Sequence, residues 1–191
     1  MTSLVLNPSS TAQWHDLVQD AQQITENKLN ETLESYLVFL LMRFTNKPEI
    51  ASTVLALDYL NSLLESKHNR REQLRNIGDQ CLLFSGLFPQ RAERKRVKIS
   101  YFVHLGRNAY SELAHVDNKK TAHIYDDLSQ GFIQLMDTLH AIRKLGNNHP
   151  DLSPFQAYDL WLETGSPMAA KSVASQNNNS TIMVHEDIKS H

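Results

Sequence analysis

Apolar side chains in this chain return every three or four residues, segment after segment, and little interrupts them. That spacing is the period of an α-helix with one face turned inward. Glycine and proline number only six each, below ordinary usage, and most of them fall between the periodic segments. No stretch alternates apolar and polar residues between hairpin turns, as paired strands require. Packed helices are what such a chain can form. Its 191 residues suit one domain. The expectation is an all-α, single bundle-like domain of six or seven helices over residues 1–172, followed by a disordered C-terminal tail over 173–191. The tail reads Ser-Gln-Asn-Asn-Asn-Ser and carries too little apolar surface to offset the entropy of ordering it.

The spacing predicts a first helix over 10–27, with Trp14, Leu17, Val18, Ala21 and Ile24 on one stripe. A second runs over 30–45 with Asn30 as its cap, and Tyr36, Val38 and Phe39 widen its apolar surface. A third covers 48–66 and a fourth 70–87, with Gly78 inside it for a close helix approach. A charged connection, 90–96, leads to a fifth helix over 97–116. A sixth covers 118–145, interrupted by Gly131, and Gly146-Asn147 stops it. Ser153-Pro154 opens a last short helix to Glu163.

Charge is segregated along this frame. Residues 67–98 hold nine basic and three acidic side chains, a net of +6. The remainder holds ten basic and eighteen acidic, a net of −8, so a chain of net charge −2 hides a basic block. Its densest part is Arg91, Arg94, Lys95, Arg96 and Lys98. Phe84, Phe88, Tyr101 and Phe102 flank it. Cations between aromatics could hold phosphates and stacked bases, but these aromatics also fall at helical spacing and suit a core. The block therefore faces an acidic protein partner or a second copy of the chain, or it complements the chain's own acidic helices. Nucleic acid or phospholipid fits less well, because the overall charge gives no bulk attraction to either.

Ser100, His104, Arg107 and Ser111 share one face of the fifth helix. With a carboxylate such as Asp79, His104 and Arg107 could bind a small anion or carry acid–base chemistry; otherwise the stripe is the solvated side. Asp79 also follows Arg75 by four residues, at ion-pair spacing. Asp137 and His140, and Glu31 and Glu34, stand three apart, but a helical di-metal site needs a second carboxylate–histidine element, which the sequence lacks. No metal or other cofactor is expected. A single cysteine, Cys81, lies among Leu82 and Leu83 and reads as a buried thiol; it excludes an internal disulfide. There is no nucleophile elbow and no glycine-rich phosphate loop. The N-terminus lacks the features of a secretory signal, and the longest apolar run, Tyr36–Met42, is far short of a membrane span. A soluble cytoplasmic protein is expected.

One segment carries a resemblance. Asn76-Ile77-Gly78-Asp79, Leu83-Phe84-Ser85-Gly86-Leu87-Phe88-Pro89, Arg94, Val97, Tyr101-Phe102 and Gly106-Arg107-Asn108-Ala109-Tyr110 together resemble a pattern in a group of all-helical bacterial proteins of unassigned activity. The resemblance implies an all-helical fold and a bacterial origin, and no reaction. The sequence thus leads to a non-catalytic interaction or regulatory protein, with Arg91, Arg94, Lys95, Arg96 and Lys98 as its contact surface and residues 67–75 beside it. A helical-bundle enzyme or small-ligand binder built on His104, Arg107 and Asp79 is the competing expectation.

Overall fold

A computed structural model describes residues 10–46, 67–94, 96–116, 121–146 and 151–175. Among these residues every regular element is an α-helix and none is a strand. In chain order they are α1 (Ser10–Thr25), α2 (Glu31–Asn46), α3 (Lys67–Gly86), α4 (Gln90–Arg94), α5 (Ile99–Val116), α6 (Ala122–Gln130), α7 (Phe132–Leu145) and α8 (Pro154–Thr164). A ninth helix, α9, covers 167–175. The helix expected over 48–66 lies outside the described residues, as do Lys95 and residues 176–191.

Local chemistry sets the helix ends. Asn30 caps α2, its Oδ1 accepting from the Leu33 N–H at 2.9 Å. Ser153 and Gln156 close a capping box at the start of α8: the Gln156 N–H donates to Ser153 Oγ and the Ser153 N–H to Gln156 Oε1. Gly165 ends α8 in the left-handed region, φ 72°. The helix expected over 118–145 is two helices. Gly131 caps both, and the Leu33 side chain of α2 packs against it where a side chain would otherwise project. The boundary expected at residue 172 also moves. Ser166 Oγ accepts from the Ala169 N–H and so caps α9, and Val173 packs on the core, which carries the helix through 175.

The helices share one hydrophobic core. The central pair is α3 and α5, with α6 against α5, α7 against α3 and α1, and α8 on the flank of α5. Leu37 and Leu41 of α2, Leu74, Cys81 and Phe84 of α3, Tyr110 of α5, and Phe132 and Leu135 of α7 are fully enclosed. Phe39 and Ile24, both expected inside, are exposed. On α2 the buried side is Leu33, Leu37, Leu40 and Leu41, and Phe39 stands outside that stripe.

The α3–α5 crossing depends on Gly78. A Cβ there would lie 2.4 Å from the Tyr110 ring. Gly78→Ala should therefore cost about 1–3 kcal/mol through overpacking, well beyond the gain in helix propensity. Gly165→Ala meets no steric neighbour but keeps a positive φ, so it should cost only about 1 kcal/mol. Urea unfolding of both variants tests the order; equal losses would mean that the crossing can shift to admit a methyl group.

Candidate functional site

Among the described residues, polar chemistry gathers at a buried carboxylate between α2, α3 and α5, at a polar row along α7, and at the connection that runs from α4 into α5.

Asp79 of α3 is fully enclosed. Its Oδ1 accepts from the Tyr36 hydroxyl at 2.6 Å and the Tyr110 hydroxyl at 2.7 Å, and its Oδ2 accepts from the Arg43 guanidinium. Burial, and then the Asp79 charge, push both phenols well above their usual range, so they stay protonated and donate. The two tyrosine rings meet edge to face, with centroids 6.2 Å apart. Asp79 therefore pairs with Arg43, thirty-six residues away, and not with Arg75 as its helical spacing led us to expect. The carboxylate turns inward toward α2 and α5, whereas Arg75 lines a cleft of about 360 Å³ with Arg71, Glu72, Leu113 and Tyr125.

The expected His104, Arg107 and Asp79 constellation is not brought together by these bonds. His104 is exposed on α5. Arg107 Nε donates to the Ser129 carbonyl at 3.1 Å, and Ser129 Oγ donates back to the Arg107 carbonyl at 3.0 Å, clasping α5 to α6. Ser100, expected on the solvated stripe, is buried and donates to Glu163 of α8. Cys81 is enclosed, and burial pushes its thiol far up, which leaves it unreactive.

On α7, Asp137 accepts from Ser166 Oγ at 2.6 Å and from the Met168 N–H at 3.2 Å, holding α9 against α7. His140 Nε2 lies 2.7 Å from the Ser85 carbonyl oxygen of α3. Both side chains of the expected carboxylate–histidine pair are thus committed to separate helix contacts. Among the described residues no group of three His, Cys, Asp or Glu could hold a metal ion.

The basic connection divides into unlike parts. Arg91 lies over the Phe84 and Phe88 rings, 5.4 and 5.1 Å from their centroids, so it is anchored on the chain's own aromatics. Lys98 bonds Glu163 at 2.5 Å and lies 3.5 Å from Asp159, both on α8. That bond lowers the Glu163 carboxyl and raises the Lys98 ammonium. Arg94 and Arg96 are exposed, and Arg96 stands in the left-handed region at φ 55°. Uncommon backbone of this kind costs of order 1–3 kcal/mol and collects at binding sites.

Beside this connection α8 turns its aromatics outward. Ala157 and Leu160 are its buried residues. Phe155 is 85% exposed and Leu162 66%, with Tyr158 and Trp161 about half exposed. A groove of about 430 Å³ separates the two, lined by Arg96, Val97, Lys98, Phe155, Gln156 and Asp159. Sequence reasoning placed Arg96 and Lys98 on a surface but missed the α8 face. A short helix rich in large apolar residues reads as core, and only the register of Ala157 and Leu160 tells its inner side.

No protein-family model, curated protein or solved structure matches the chain. Among the described residues no helix is long and apolar enough to cross a membrane.

Two measurements check these assignments. Asp79→Ala leaves two buried hydroxyls without their acceptor and should cost about 3–5 kcal/mol; a variant as stable as its parent would mark Asp79 as a strained, functional carboxylate. The second concerns pH. Burial raises the Asp137 carboxyl from 3.8 to about 6. Its folded value lies above its unfolded one, so its contribution is present at low pH and is lost as pH rises from about 4 to 6. Burial, with the Arg143 charge, lowers His140 from 6.5 to about 4. Its contribution is present at high pH and is lost as pH falls through the same window. The two oppose. Relative to the parent, His140→Gln should make stability fall with rising pH between these limits, and Asp137→Asn should make it rise, each by on the order of 2–3 kcal/mol. Urea titrations at the two ends of the window would read this, and parallel profiles for all three proteins would refute it.

Proposed function

We propose that this chain is a non-catalytic interaction or regulatory protein of the bacterial cytoplasm, and that its contact surface is the groove between the basic connection and α8. The observation that carries the reading is an apolar face, led by Phe155 at 85% exposure, set against a connection that presents Arg94 and Arg96 to solvent. Apolar surface rimmed by charge is the composition of a protein-docking site. Lys98, Arg94 and Arg96 outnumber Asp159 and Glu163, the two carboxylates that Lys98 bonds, so the charge left beside the groove is positive. An acidic segment bearing apolar side chains complements it, with carboxylates at Arg94 and Arg96 and side chains on Phe155. An ionic rim speeds encounter, and the aromatic anchor supplies most of the affinity. The resemblance of residues 76–110 to bacterial helical proteins accords with this reading.

Retention of a partner on the immobilised full chain tests it. Phe155→Ala should abolish retention by slowing nothing and speeding dissociation. The double variant Arg94→Gln, Arg96→Gln should slow association and weaken its salt dependence. Both should melt within about 0.5 kcal/mol of the parent, since exposed residues contribute little to folding. Loss of self-association in sedimentation, with no other partner lost, would assign the groove to a second copy. Unchanged retention by both variants would remove the groove from consideration.

A further inference from the structure

The groove between the basic connection and α8 lies beside the end of α9. Ser172 of α9 and Leu152 line one small cavity together with Lys144 and Asp151. Ser153, the residue after Leu152, caps α8 and lines the groove. The helix α9 ends three residues beyond Ser172, at 175. Residues 176–191 follow it in the sequence. They include Ile182, Met183 and Val184, then Glu186 and Asp187, then Ile188. That is an acidic segment bearing apolar side chains. Such a segment complements Phe155, 85% exposed, beside the exposed Arg94 and Arg96. Reach is no obstacle. Ile182 stands seven residues beyond 175, up to about 23–25 Å of extended chain. With its 11 residues, α8 is only about 16 Å long.

The following rests on the reading of this groove as a docking surface. We propose that its occupant, when no other protein is bound, is the chain's own residues 182–188. Ile182, Met183 and Val184 lie against Phe155, and Glu186 and Asp187 face Arg94 and Arg96. Tethering favours this occupant over an external one. So few apolar side chains bind weakly from free solution. Carried on a short tether, they are held near the groove at an effective concentration on the order of 1 mM. An external acidic segment has to displace them, so the tail sets a threshold that a partner must exceed.

The test uses the full chain and a fluorescent synthetic peptide of residues 179–190. Anisotropy reads binding of the peptide. The parent should bind it weakly, because its own tail competes. Glu186→Lys with Asp187→Lys, made in the chain and not in the peptide, should free the groove and tighten peptide binding about tenfold. Adding Phe155→Ala to that chain should abolish the binding. A spin label checks the position directly. Cys81 is enclosed, so Ser180→Cys supplies the one reactive thiol for a nitroxide. The label should broaden the amide resonances of residues 96–100 and 153–160 more than those of α6. The two charge reversals should remove that broadening, and dilution should not. Equal peptide affinity in the parent and the charge-reversed chain, with Phe155 still required, would overturn the proposal and leave the groove a docking surface for another protein. Peptide binding that ignores Phe155→Ala, or no peptide binding by the charge-reversed chain, would overturn it as well. Broadening that passes from a labelled copy to an unlabelled one and fades on dilution would overturn it in favour of a second copy.

Discussion

The carboxylate of Asp79 is the interaction on which the arrangement of the other helices turns. A charge in a fully enclosed position is tolerable only when it is paired and bonded on all sides. Here α2 supplies Tyr36 and Arg43, and α5 supplies Tyr110. Sliding either helix by one turn past α3 would carry those groups away and leave a bare buried anion. Apolar packing alone is more forgiving, because leucine stripes fit nearly as well in neighbouring registers. The cluster therefore acts on register, and we regard specificity rather than net stability as its contribution.

The same geometry explains a run of residues that stood out in the sequence. Gly78 and Asp79 on α3 meet Tyr110 on α5: the glycine makes room for the ring, and the aspartate accepts from its hydroxyl. Gly106 on α5 faces the Cys81 side chain on α3 and the Phe132 ring on α7. Gly86 faces Leu139 of α7. The segment from 76 to 110 is thus the two sides of one close helix crossing, plus the chain that joins them. Small residues at a crossing, a buried acid and its phenol partner are what such a crossing needs. Nothing in that list requires a reaction.

What could be read in the sequence followed from near neighbours. Most helix positions, the Asn30 cap and the Ser153 start rest on residues three or four apart, and the described residues have them. What escaped rests on residues far apart in the chain. Asp79 has Arg75 at helical spacing, and nothing local says that Arg43 takes the bond instead. Lys98 and Ser100 find Glu163 more than sixty residues on, which turned an expected solvated stripe into part of an α5–α8 contact. The outward face of α8 was missed for a different reason. Hydrophobicity identifies residues that can be buried, and does not say which of two apolar sides a short helix will use.

The segregation of charge along the chain has a divided structural meaning. Arg70 pairs with Glu112 at 3.0 Å, Arg91 rests on two phenylalanines, and Lys98 binds α8. These cations serve the fold. Among the described residues of the connection, Arg94 and Arg96 are exposed, and Arg96 stands at a turn where a non-glycine residue adopts positive φ. Their effect on a distant anion is screened within about 8–10 Å at physiological salt, so two charges make a weak site by themselves. With the outward aromatics of α8 they form the proposed contact surface, in which charge would set orientation and apolar area lifetime.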